Sequence, residues 1–258
     1  MNNTFNLTRF GWYFKKHTID HGRTYLLSLV AAVGIVFLGL GLPAFLGVGV
    51  VTQNYQYGMY IFLIWLGGSI FTSTIFAELS DRKKAILTLT LPVSHLERFL
   101  VAWLYTFPIF LVAANICFFA VDSLVLSMSH PVIEPNRLLN LFDTKTPGIL
   151  ALVAFMVFQI PCFWGAVYFN KLHFIKTAFL FFMACLAITI LNKAILRLVS
   201  GGDLSSYNLF FQNQVFIKGK YYSFTLSNST YIISWIIYAS TGLLLLVSAF
   251  YKLKEKQV

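Results

Sequence analysis

The residues best placed to do chemistry are crowded into positions 78–99, ELSDRKKAILTLTLPVSHLERF, between two long apolar runs. Glu78, Asp81, Arg82, Lys83 and Lys84 open the stretch with a dense mixture of charge. Asp81 to Lys84 lead into the apolar AILTLTL, which suggests a short amphipathic helix on a membrane surface. Pro92 disfavours the α conformation at Leu91 and should stop that helix. Ser94 and Glu97 then match an S-x-x-E capping box, in which hydroxyl and carboxylate each accept from the other residue's backbone N–H. A new helix should therefore begin at Ser94. A short charged helix held between two spans is a good place for a soluble partner to push. The competing reading is an ordinary loop, basic because of its topology.

Elsewhere the usual catalytic arrangements are missing. There is no G-x-x-x-x-G-K-[ST] phosphate loop, no H-E-x-x-H and no G-x-S-x-G. Glu78 and Asp122 lie near opposite ends of their apolar runs, so no acid pair faces another at mid-membrane. His17 and His21 are one helical turn apart with no third ligand near, so no metal site is assigned. Cys117, Cys162 and Cys185 fall inside apolar runs without metal or redox spacing and are read as packing residues. Gln159 and Asn115 are the most central strong hydrogen-bonding groups. Gln159 either lines a path or bonds a neighbouring helix, and the second is favoured. The chain is not read as an enzyme; energy for active transport would come from a separate ATPase.

These residues must be positioned by membrane helices. Of 258 residues, 58% are hydrophobic and 11% charged. A soluble domain carries about 25% charged residues. The apolar residues come in long blocks, which points to an all-α polytopic protein. Phe10, Tyr13, Phe14 and His17 share one helical face, so residues 1–23 are expected to form an interfacial helix in the headgroup layer. Six spans follow, at about 24–51, 59–77, 99–126, 148–169, 177–192 and 231–251, in a single transmembrane domain. The segment TQNYQYG before the second span reads as a turn. Gly39 in span one, with Gly68 and Thr72 in span two, supplies small or weakly polar surface for a helix interface or a pathway. The long loop 199–229 contains FIKGKYY, which reads as a hairpin turning at Gly219.

Six spans put both termini on one side. Of the 19 Lys and Arg residues, 13 fall on that side and six on the other. The positive-inside rule then makes both termini and residues 78–98 cytoplasmic. The net charge of +10 sits beside the apolar blocks, so it suits lipid headgroups and topology better than nucleic acid.

The order of elements, the Asp81-Arg82 pair and the Pro92-Val93-Ser94 entry resemble the permease subunits of ABC-2-type ABC transporters. The runs LTLPVSHLERFLVAWL and NNTFNLTRFGWYFKK look like small permeases of this kind from Bacteroidetes. Asp81 stands where the family usually has Glu. The resemblance implies an exporter half in the bacterial inner membrane. Two permeases, identical or related, would pair with two cytoplasmic ATPase subunits that carry ATP and magnesium. Residues 78–98 would be the coupling helix, with Asp81, Arg82, Lys83, Lys84, Pro92, Ser94 and Glu97 as its coupling residues. The family often has two apolar re-entrant helices before the last span, and the polar loop 199–229 departs from that.

Overall fold

The computed structural model describes residues 5–45, 52–76, 93–128, 138–142, 148–169, 172–200, 203–206, 213–217, 220–224 and 228–255. Within them the chain is helical apart from one small sheet. Helix α1 is Leu7–Phe45. Helix α2 consists of Gln53–Phe62, a π turn at Leu63–Gly67, and Gly68–Thr74. Helix α3 runs His95–Leu104, passes through a π turn at Tyr105–Ile109, and continues over Phe110–Met128. Helices α4, α5 and α6 are Gly148–Tyr168, His173–Ser200 and Asn228–Glu255. Five stretches are long and apolar enough to cross a membrane: Leu7–Phe45, His95–Met128, Ala151–Tyr168, Phe174–Ile195 and Trp235–Glu255.

Two boundaries differ from those expected. The proposed headgroup helix and first span form one continuous helix of 39 residues. At 1.5 Å per residue it is roughly 58 Å long. No proline lies between Leu7 and Pro43, and an isolated glycine such as Gly22 costs only about 1 kcal/mol relative to alanine. The expected turn at 52–58 is instead the start of α2. Thr52 has extended backbone (φ −68°, ψ 155°) and its hydroxyl accepts from the Tyr55 N–H, so it caps a helix that begins at Gln53.

The aromatic face of the N-terminal helix turns toward the rest of the chain. It packs on protein, with Tyr13 buried and Phe14 stacked on Tyr105 at 5.1 Å between ring centroids. Val101 and Tyr105 of α3 complete that cluster with Phe71 of α2. Trp12 and Ile19, on the other side of α1, are about 70% exposed. Such ring pairs are worth about 0.5–1.5 kcal/mol each beyond the area they bury.

The main core joins Val36 and Leu40 of α1, Tyr60 and Ile64 of α2, Phe118 and Val125 of α3, and Phe155 of α4. A second cluster packs Phe163 and Val167 of α4 against Phe76, Ala102, Ala249 and Leu253. The hairpin expected in the long loop is present as β2 (Asn213–Ile217) paired antiparallel with β3 (Lys220–Phe224), Ile217 opposite Lys220. A further strand, β1 (Asp203–Ser206), adds to β2 in the order β1-β2-β3. Residues 218 and 219, with the expected turn at Gly219, lie outside the described residues.

The π turn of α3 has an identifiable cause. Pro108 has no N–H, and its ring would strike the carbonyl four residues back in a regular helix; widening the turn relieves that clash. In α2, Ser69 Oγ donates to Leu66 O at 3.0 Å and Ser73 Oγ donates to Ser69 O at 2.7 Å.

Candidate functional site

Of the sequence-predicted coupling residues, Asp81, Arg82, Lys83, Lys84 and Pro92 lie outside the described residues. Ser94 and Glu97 lie inside and form the capping box. Ser94 is extended (φ −71°, ψ 155°). The Glu97 N–H donates to Ser94 Oγ at 3.2 Å, and the Ser94 N–H donates to Glu97 Oε2 at 3.0 Å.

The Glu97 carboxylate does more than close this box. Arg9 Nε donates to Oε2 at 2.8 Å and lies 3.1 Å from Oε1, while Arg9 Nη2 donates to Oε1 at 2.7 Å. The Asn6 N–H adds a bond to Oε1 at 2.9 Å. Asn6 caps α1, since its side-chain oxygen accepts from the Thr8 N–H at 2.9 Å. One carboxylate thus takes the backbone N–H of both helix-capping residues, Asn6 and Ser94, together with the fork of a guanidinium. Glu97 is fully buried, whereas the Arg9 side chain is 31% exposed. A carboxylate removed from water needs such a set of donors to remain charged there. The result locks the first turns of α1 and α3 together at the point where the chain leaves the charged 78–92 segment.

Sequence inspection missed Arg9 and Asn6. The S-x-x-E pattern identifies Glu97 as a helix-start residue, and Arg9 lies off the aromatic face of α1. No local signal connects positions 88 residues apart.

The central residues make separate helix-to-helix contacts at two levels of the bundle. Gln159 of α4 is buried; its Nε2 donates to the Thr106 carbonyl in the α3 π turn and lies 3.5 Å from Thr72 Oγ1. Its amide therefore bridges α4 to α3 and α2. The Thr106 hydroxyl donates back to Ala102 O at 2.9 Å. Asn115 accepts from the Tyr60 hydroxyl at 3.0 Å and donates to Leu111 O at 2.8 Å, tying α2 to α3. Gly68 and Gly39 both face this chain's own side chains. A Cβ on Gly68 would meet the rings of Phe155 and Phe110, and one on Gly39 would meet Met59. The Gly39 carbonyl accepts from the Tyr55 hydroxyl at 2.8 Å, so the close approach is between α1 and α2.

His17 Nε2 is 2.7 Å from the Tyr25 hydroxyl, and the His17 and His21 rings are 4.4 Å apart within the aromatic cluster around Tyr105. No group of three or more His, Cys, Asp or Glu that could hold a metal ion occurs among the described residues. Asp122 is buried in α3, where Oδ2 accepts from the Leu139 N–H at 3.3 Å and Oδ1 has no hydrogen-bond partner among the described residues.

Among the described residues these arrangements tie helices to one another by hydrogen bonds and an ion pair. No protein-family model, no curated protein and no solved structure matches this chain.

Proposed function

We propose that this chain is the membrane-spanning permease subunit of an ATP-driven exporter of the ABC-2 type. It would work with a separate cytoplasmic ATPase, which carries ATP and magnesium, and with a second copy of itself or a related permease. Helix α2 acts as a span beside the five longer apolar helices, giving six. The 13-to-6 distribution of Lys and Arg then puts both termini on the cytoplasmic face of the inner membrane.

The observation that carries this reading is the bonding of Glu97. A partner pushing on residues 78–92 must have a stiff connection to the helices that follow. Five donor contacts converge on one buried carboxylate at the exit of that segment. A displacement of the segment would then move the starts of α3 and α1 together. A basic loop that served only to orient the protein would have no need of that clamp.

The test is made on the charged segment itself. Asp81→Lys keeps the loop basic, so insertion and orientation should survive. It reverses a charge offered to the ATPase, and co-purification of that subunit or ATP turnover in reconstituted vesicles should fall. Pro92→Ala should lower turnover by letting the two helices merge. Normal binding and turnover in both variants would instead favour a non-transporting membrane scaffold or sensor subunit.

A further inference from the structure

The end of α4, the start of α5 and the last turns of α6 meet at one corner of the bundle. Trp164 and Tyr168 are stacked at 4.8 Å, and Phe169 lies edge-on to Tyr168 at 5.6 Å. Lys176 Nζ of α5 is 5.8 Å from the Phe169 ring centroid, and Lys252 Nζ of α6 is 5.6 Å from that of Tyr168. Two ammonium groups from different helices are thus steadied over adjoining rings on a third. Lys252 also pairs with Glu255 at 2.7 Å, and exposed Lys254 adds a third cation to that turn. Beside the lysines Tyr168 and Tyr251 are 47% and 59% exposed, and one to two turns further into α5 Phe179, Leu180 and Met183 are 48–66% exposed.

Each element of this corner suits one kind of molecule. A cation over a ring keeps its outward hemisphere open to an anion. An ammonium has three donors, so the Glu255 contact leaves Lys252 with others. Interfacial aromatic rings sit at headgroup depth, with apolar side chains on the hydrocarbon side. An anion with a hydrocarbon tail meets all of these at once. A zwitterionic headgroup brings its own cation, which Lys176 and Lys252 would repel. Lys16 of α1 provides the contrast, being paired with Asp20 at 2.9 Å on an exposed helix face.

We propose that this corner binds an anionic phospholipid, with its phosphate held by Lys176 and Lys252 and an acyl chain lying along Phe179, Leu180 and Met183. The inference rests on the membrane-embedded reading above and is independent of ATPase coupling.

The experiment uses the full-length protein in nanodiscs of equal parts phosphatidylglycerol and phosphatidylcholine. Lipid retained after detergent extraction is measured per protein by native mass spectrometry. The wild type should enrich phosphatidylglycerol. Each lysine removed in the double variant K176Q/K252Q should lower that enrichment about five-fold, the effect of one basic residue near an anionic surface. The double variant K176R/K252R should retain it, and added salt should weaken it in the wild type. K16Q should leave it unchanged. Wild-type retention in K176Q/K252Q, equal retention of the two lipids by the wild type, or no effect of salt would overturn the site. An equal loss in K16Q would do so as well, by showing general surface charge instead. ATPase co-purification plays no part in this readout, so the lipid site and the export reading can fail separately.

Discussion

Replacing Glu97 with Gln keeps the side-chain volume and removes one charge from a fully buried position. The wild-type carboxylate takes bonds from Arg9, from the Asn6 N–H and from the Ser94 N–H. A neutral amide has a single acceptor oxygen, so it cannot serve both capping N–H groups and the guanidinium fork. Breaking a buried pair by removing one partner costs about 3–5 kcal/mol. Arg9 is partly exposed and can regain water, and the Gln oxygen can keep one capping bond. Glu97→Gln should therefore cost about 2–3 kcal/mol, somewhat below that range. Arg9→Gln should be the more damaging of the two, because it leaves a charged carboxylate buried without its cation. Ser94→Ala removes only the cap and should cost about 1 kcal/mol. The assay is reversible unfolding in mixed micelles, run as a double-mutant cycle on Arg9 and Glu97. The double variant should be less destabilised than the sum of the two single changes. Strict additivity, or a Glu97→Gln protein as stable as wild type, would refute the claim that this contact locks α1 to α3.

Three further outcomes can be measured. Gly68→Leu should destabilise by about 1–3 kcal/mol, because its side chain must displace the Phe155 and Phe110 rings, whereas Gly34→Leu, with nothing within 4 Å of its Cβ position, should be near neutral by the same unfolding assay. Asp122→Asn should be neutral or stabilising by about 1 kcal/mol at pH 7, since the amide oxygen keeps the Leu139 N–H bond while a charge leaves an apolar site; a large loss of stability would point to a cation paired with this carboxylate. Single cysteines at positions 82 and 218, in a background lacking Cys117, Cys162 and Cys185, should react oppositely with an impermeant thiol reagent in intact cells, and labelling of position 82 from outside would reverse the proposed orientation.

Much of the fold was legible because a bilayer imposes a coarse, strong code. Runs of apolar residues long enough to cross it must be helical, since their backbone polar groups have no water to bond. That logic located the helices around spans one, three, four, five and six, and the turn chemistry of FIKGKYY located the pairing of β2 with β3. Local capping was equally readable at Ser94-x-x-Glu97, because the four residues contain all its parts. Thr52 shows the limit of that method. A lone threonine before an uncharged segment looks like a turn residue, and only the bond from the Tyr55 N–H marks it as a cap.

What the sequence could determine alone was therefore whatever depends on neighbours a few positions apart: apolar length, helix starts, hairpin chemistry and the charge asymmetry of the loops. Which faces meet was decided by the tertiary structure. The aromatic stripe of α1 has the same spacing whether it lies on lipid or on Tyr105, and the choice depends on an α3 surface formed some 90 residues later. Glu97 carries the signature of a capping residue in either case. It becomes a clamp between two helices only because the fold delivers Arg9 and the Asn6 N–H to the same buried carboxylate, where leaving water is tolerable only if every donor arrives.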